Sequence, residues 1–177
     1  MQHETGRVPD LAEMADRLAI MEVLAQHSRG VDRADGAVMK SAYWPEAEVA
    51  YGGYNGPAHG FCDILPGAIR GWSATHHQLG NINIRIDGDE ARVETYVSAN
   101  HYQRAGGPPG DMMMYVGRYL DRMQRRGNVW KIMFRRVVMD WNLDVSATAM
   151  VESPSVAARA RGGRAPEDPS YGDFTLG

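Results

Sequence analysis

Cysteine is almost missing from this chain: its 177 residues hold one, Cys62. That excludes an internal disulfide framework and any cysteine-based zinc site. No run approaches the roughly 20 apolar residues that span a bilayer. The opening MQHETGRVPDLAEMADR lacks the continuous apolar stretch of a secretory signal, and the expectation is a soluble, cytoplasmic protein. An excess of one charge is lacking too. The formal net charge is −3, which gives no electrostatic reason to expect nucleic acid or an anionic membrane as a partner. There is no G-x-S-x-G elbow, P-loop or G-x-G-x-x-G, so hydrolase, NTPase and dinucleotide readings lose their usual support. Close histidine pairs of the H-x-x-x-H kind are also absent, which argues against a metal.

What is present is ordinary in bulk: 44% hydrophobic and 23% charged residues, enough for one domain with a sizeable core. Eleven methionines stand out, three of them consecutive at Met112 to Met114. They suit either plain core filling or an irregular cavity.

The chain begins with helices. Leu11, Met14, Leu18, Met21 and Ala25 recur at three- and four-residue steps, with Glu13, Arg17 and Glu22 elsewhere. This predicts an amphipathic helix over residues 10–34 with that apolar stripe on the core. Pro9 suits its first turn and Gly30 its weakening end. A short helix over 36–43, stopped by Pro45, a strand over 46–51, a loop over 52–57 and a helix over 58–73, irregular at Pro66-Gly67, follow. The character then changes to a long antiparallel meander. Residues 75–86 and 90–104 form a hairpin around Asp87-Gly88-Asp89, and 111–124 and 128–143 form another around Arg126-Gly127-Asn128. The predicted class is α+β, with helices covering one face of a curved sheet. The domain spans residues 1–152. Residues 153–177, rich in Pro, Gly, Arg and Ala, read as a tail without a core of its own. Arg118, Arg122, Arg125, Arg126 and Lys131 along the last hairpin read as a solvated face or an interface rim.

Three polar residues invite a chemical reading. Asp32 ends the first helix on the stripe of Leu24 and Ser28. A carboxylate there is costly unless paired; the plain alternatives are a cap for the helix starting at Gly36 or an arginine partner. His101 shares parity with the apolar Val93, Val97 and Ala99, and the hairpin brings it near His76 and His77. Neutral imidazole is the commonest general base near pH 7, and a carboxylate behind it fixes its tautomer. Strict alternation back from Ile86, Ile84 and Ile82 puts His76 inside; a bulge at Gly80-Asn81 would put His77 there instead. Periodicity leaves both open.

These residues, in this order, resemble the SnoaL-like branch of the nuclear-transport-factor-like superfamily over roughly residues 10–145, and scytalone dehydratases most closely in catalytic pattern. The resemblance rests on Val31-Asp32-Arg-Ala-Asp35, on Pro45 and Tyr51, on Thr75-His-His77-Gln-Leu-Gly80, on His101, and on VWKIMFRRVVMDW at 129–141. It implies a cone-shaped α+β barrel without cofactor or metal, self-associating as a trimer or dimer. It also implies a cavity for a small hydrophobic ligand, lined by His27, Tyr43, Trp44, Tyr54, Val97, Met114, Tyr119 and Arg135. Asp32 then matches the aspartate that orients a catalytic histidine, and His77, not His76, matches that histidine. His101 matches a second histidine serving the leaving hydroxyl, and Tyr51 a tyrosine polarising a carbonyl through water. Enzymes of this kind eliminate water or HCl, isomerise, or cyclise polyketides. The chain departs from the pattern at Val31, where scytalone dehydratase has tyrosine, and at Gly117 and Tyr119, where it has serine and asparagine, which makes scytalone an unsuitable substrate. The chloride-stabilising arginine of dehydrochlorinases falls near Val138; Arg135 or Arg136 is close enough to substitute, although either reads more simply as a paired surface arginine. The expectation is a lyase or isomerase using an Asp–His pair on an oxygenated ring compound. The alternatives are a non-catalytic ligand-binding module or a small assembly subunit.

Overall fold

Asp10 accepts a hydrogen bond from the Glu13 backbone N–H at 2.8 Å, satisfying one of the orphan donors at a helix start. The helix it caps, α1 (Leu11–Asp32), opens the fold. The computed structural model describes residues 6–146 and 163–171. After α1 come α2 (Gly36–Ser41), β1 (Tyr43–Ala50), β2 (Asn55–Pro57), α3 (Ala58–Ile69), β3 (Trp72–Asp87), β4 (Glu90–Arg104), β5 (Asp111–Arg126) and β6 (Val129–Ser146). The expected loop over 52–57 thus contains a short strand, and Pro66 sits within α3 without ending it.

The six strands form one sheet in the order β2-β1-β6-β5-β4-β3. It is strongly curved and not closed into a barrel, and the three helices pack on it as a cone-shaped α+β fold. All pairings are antiparallel except β1 with β6. Both long hairpins turn at a glycine with positive φ, Gly88 (60°) and Gly127 (62°), where an L side chain would be strained. Gly30 has a different role. A Cβ there would stand 2.7 Å from both Cγ and the backbone N of Met39, so glycine lets α2 cross close against α1. Asp35 caps α2, its carboxylate accepting from the N–H groups of Ala37 and Val38 at 3.0 Å. That leaves Asp32 available for another partner.

The face of α1 is the reverse of the expected one. Leu11 (84% exposed), Leu18 (65%), Met14 and Met21 face outward, while Ile20, Leu24, His27, Ser28 and Val31 are buried. The reason is polar anchoring. Trp130 Nε1 donates to Asp16 at 2.7 Å, Arg125 pairs with Asp16 at 3.1 Å, and Arg17 Nη1 donates to the Ile84 carbonyl at 3.1 Å. These bonds seat the polar side of the first turns on the sheet and turn the Leu/Met stripe away. The core lies between Ile20, Leu24 and Met39 of the helices and Tyr43, Val49, Phe61, Met123, Trp130 and Ile132.

Of the expected tail, only 163–171 lies within the described residues. This segment lies against the end of α1: the Ala165 N–H donates to the Arg33 carbonyl at 2.7 Å, and Arg33 pairs with Asp168 at 3.1 Å. Tyr171 OH donates to the Asp35 carboxylate at 2.6 Å. Among the described residues no helix is long and apolar enough to cross a membrane.

Candidate active site

Asp32 is the last residue of α1 and is 6% exposed. Its Oδ1 lies 2.7 Å from His77 Nδ1, and its Oδ2 accepts from the His77 backbone N–H at 2.9 Å. The pairing depends on a bulge. The β3–β4 register shifts between Leu79 and Ile82, so Gly80 and Asn81 together take one step of the ladder. Strand parity therefore reverses, and His77 turns inward while His76 is exposed. Neither plain alternative for Asp32 holds, since Asp35 is the cap and an imidazole, not a guanidinium, is the partner of its carboxylate.

Burial alone would raise the Asp32 pKa. The bonds from the His77 ring and backbone and from the Thr75 side chain outweigh it, and the carboxyl is held below its ordinary range. An ionised carboxylate only accepts, so the His77 Nδ1–H donates to Asp32, which leaves Nε2 as the ring nitrogen available to a ligand. The tautomer follows from this bonding pattern.

His101, on β4, pairs across the ladder with Thr75, and His77 pairs with Ala99. The two imidazoles are thus diagonal neighbours, their centroids 5.5 Å apart and their planes at 80°. Burial, and then the proximity of His77, push the His101 pKa down to about 4. His101 is therefore a neutral hydrogen-bonding group at ordinary pH.

Both histidines line a cavity of about 500 Å³ between α3, the β1–β2 turn and the sheet. The rest of its wall is Val31, Tyr51, Gly53, Tyr54, Phe61, Ile64, Leu65, Ala68, Ile69, Ala99, Met113, Tyr115, Tyr119 and Val137. Among these lining residues there is no Asp, Glu, Lys or Arg. A larger groove of about 950 Å³ runs past Arg85, Arg92, Arg122 and Arg136, but it holds none of the groups just described.

The expected lining is met only in part. Tyr51, Tyr54 and Tyr119 are at the wall. Tyr51 stacks on Phe61 at 4.1 Å, and its buried hydroxyl neighbours Arg135 and Tyr43. Met114 does not line the cavity; its neighbour Met113 does, because their side chains leave opposite faces of β5. Val97 is buried in the sheet without reaching the wall. Trp44 is at another place altogether, donating to the Gln124 carbonyl at 3.1 Å beneath Arg126 and Lys131.

His27, Tyr43 and Arg135 form a layer below the wall. Arg135 is no surface residue. It is fully buried, its Nε and Nη2 donate to the two oxygens of Asp121, each at 2.7 Å, and its Nη1 donates to His27 Nδ1 at 2.8 Å. Its guanidinium carbon lies 4.1 Å from the centroid of the Tyr119 ring. Burial, then Arg135 and His77, hold the His27 pKa well below its ordinary value, consistent with an imidazole that accepts at Nδ1. Burial raises the pKa values of Tyr43, Tyr51 and Tyr119, so all three remain phenols and hydrogen-bond donors.

A family model described as a SnoaL-like domain matches residues 12–136, more than half of the chain. The chain belongs to the SnoaL-like domain family. Solved structures with this fold include a hexachlorocyclohexane dehydrochlorinase, LinA-type3 from Novosphingobium barchaimii, with TM-score 0.70 and 21% identity, covering 82% of this chain and 100% of that one. A Novosphingobium aromaticivorans protein assigned as a scytalone dehydratase has TM-score 0.67 and 21% identity, covering 77% and 92%. At these identities the likeness shows the SnoaL-like fold alone. Among curated relatives, Rv2910c of Mycobacterium tuberculosis is 30% identical over 84 residues, 46% of this chain and 57% of that protein. This chain therefore covers little more than half the length of that relative.

Two residues of the site were missed by sequence reasoning. Thr75 is read there only as part of a motif, yet its side chain helps hold the Asp32 carboxyl below its ordinary range. Arg164, far away in the chain, donates to Thr75 Oγ1 at 2.9 Å. Nothing in local spacing marks either one. Among the described residues no group of three or more His, Cys, Asp or Glu side chains is placed to hold a metal ion.

Proposed function

We propose that this protein is a cofactor-independent lyase or isomerase acting on a neutral, apolar, oxygenated ring compound, with Asp32 and His77 as its acid/base pair. The observation that carries this reading is the pair of hydrogen bonds that the Asp32 carboxylate accepts from His77, at 2.7 and 2.9 Å, beside an uncharged cavity of about 500 Å³.

The proposed chemistry follows from the atoms. His77 Nε2 removes a proton from a carbon made acidic by a neighbouring carbonyl, and the imidazolium that forms is stabilised by the ionised Asp32. Negative charge then develops on the carbonyl oxygen, where the buried phenols Tyr51 and Tyr119, backed by the Arg135 cation, supply donors and positive potential. The His77 imidazolium then gives its proton back, to another carbon in an isomerisation or to the departing hydroxyl in an elimination. His101, neutral and within ring contact of His77, hydrogen-bonds that hydroxyl. A cavity of this volume takes one small ring compound, and a wall without charged side chains disfavours ionic substrates.

The fold likeness to a dehydrochlorinase and to a dehydratase-assigned protein agrees with an elimination. We further infer that the chain self-associates, since Leu11, Leu18, Trp141 and Leu143 leave large apolar side chains exposed.

The test is proton exchange in D₂O. A panel of neutral cyclic β-hydroxyketones and enones is incubated with the protein, and the α-proton signal and the conjugated-enone absorbance are followed. At least one compound should exchange or eliminate, and His77→Gln should abolish it. Binding of panel members with no exchange above buffer would reject the catalytic reading in favour of a ligand-binding module.

A further inference from the structure

We propose that Arg164 and Thr75 are positioning residues that set the proton affinity of the Asp32–His77 pair through a directed chain of hydrogen bonds. This builds on the acid/base reading of the pair.

The direction of the chain is forced by donor inventory. A guanidinium has only donors, so Arg164 Nη1 gives its proton to Thr75 Oγ1 across 2.9 Å. A hydroxyl that accepts there has a single proton to give, and the Thr75 side chain acts on the Asp32 carboxylate to lower its pKa. The carboxylate also accepts from the His77 ring and backbone. The two bonds to the carboxylate thus come from His77, the Thr75 hydroxyl lowers its pKa as a further polar neighbour, and the positive charge of Arg164 stands behind that hydroxyl.

Arg164 is placed by bonds that do not involve the carboxylate. Its Nη1 also donates to the Asp32 backbone carbonyl, and its Nη2 donates to the carbonyls of Trp72 at 2.9 Å and Ile69 at 3.3 Å. It thus ties together the ends of α1 and α3 and the start of β3. The surrounding segment has its own anchors in Ala165–Arg33, Asp168–Arg33 and Tyr171–Asp35. Loss of the Arg164 side chain therefore leaves the segment in place.

The electrostatic sign follows. The charged and titratable groups acting on this chain are Asp32, Arg33 and Arg70 around Arg164, with His101 and the buried His27 coupled to His77 on the other side. A cation near Asp32, and a hydroxyl drawing on its charge, both weaken the pull of Asp32 on an imidazolium. Both therefore oppose a positive charge on the His77 ring. Removing either one makes His77 take up its proton at higher pH. The acid limb of any rate profile would move the same way.

The experiment is an NMR titration of the His77 imidazole in the full chain, ¹³C-histidine labelled, without substrate, with the signal assigned by its loss in His77→Gln. Because no turnover is measured, the result is independent of whether the cavity catalyses anything. The midpoint should rise by about half a pH unit or more in Arg164→Gln and in Thr75→Val, and Thr75→Ser, which keeps the hydroxyl, should restore the original value. Should Thr75→Val fail to fold, Arg164→Gln decides alone. Unmoved midpoints would overturn the proposal, and a shift in Thr75→Val with none in Arg164→Gln would remove Arg164 from it.

Discussion

Asp32 grips His77 at two points, the ring Nδ1 and the backbone N–H of the same residue. One carboxylate thereby fixes both the rotation of the imidazole and the strand that bears it, and each oxygen has its own task. A carboxamide cannot copy this, because it offers one acceptor oxygen and brings two donors into a place where donors already point. Asp32→Asn should lower proton exchange by about 10²- to 10⁴-fold while the protein stays folded. Circular dichroism and exchange rates measured on one sample check this; exchange at the wild-type rate would be incompatible with the dyad.

The buried pair Arg135–Asp121 should be the most sensitive point of the core. Asp121→Ala leaves a guanidinium without its counter-charge in a fully buried position. The expected loss is about 3–5 kcal/mol, measured by urea denaturation. Replacing both residues with leucine should cost less than Asp121→Ala, since no unpaired charge then remains.

Acid should destabilise the protein in two stages. His101 is depressed to about 4 from 6.5, and His27 is also depressed. The unfolded chain binds more protons in that window, so stability falls as pH drops below 6.5 towards 4. Asp32 and Asp35 are held below 3.8, so their contribution is present above that value and is lost only in stronger acid. Melting temperatures between pH 8 and 3 should show the first decline shallower in His101→Phe than in the parent.

The two sides of α1 should respond in opposite ways. Leu24→Ala removes a fully packed side chain and should cost about 2–5 kcal/mol, whereas Leu18→Ala should stay within about 0.5 kcal/mol. Leu11→Glu combined with Leu18→Glu should leave the fold intact and shift sedimentation towards smaller species. An unchanged distribution would place any subunit contact elsewhere.

The α1 result also shows where reading the sequence succeeds and where it stops. The helix itself, both glycine-turned hairpins and the helices-then-meander order follow from local patterns, and all are present. Which face of α1 is buried does not follow, because apolar residues lie on both faces and the choice is made by Asp16 and Arg17 bonding to groups on distant strands. Asp32, His77 and His101 were legible as candidates, but choosing between His76 and His77 needed the extra residue at Gly80-Asn81, which alternation alone leaves ambiguous. Arg135 read as a surface residue because its partners, Asp121 and His27, are brought to it only by the folded sheet. Met113 and Met114 differ in the same way, since a run of three methionines carries no parity of its own.

Arg164 contacts the turn that bears Asp32 although it lies well outside the 12–136 stretch that defines the family. A chain ending with β6 would keep every acid and base of the pocket and lose the cation proposed to adjust them. Such a shortened protein should still fold around its cavity but work best at a different acidity. Comparisons of pH optimum between family members would then be informative only when the sequences beyond the shared domain are compared as well.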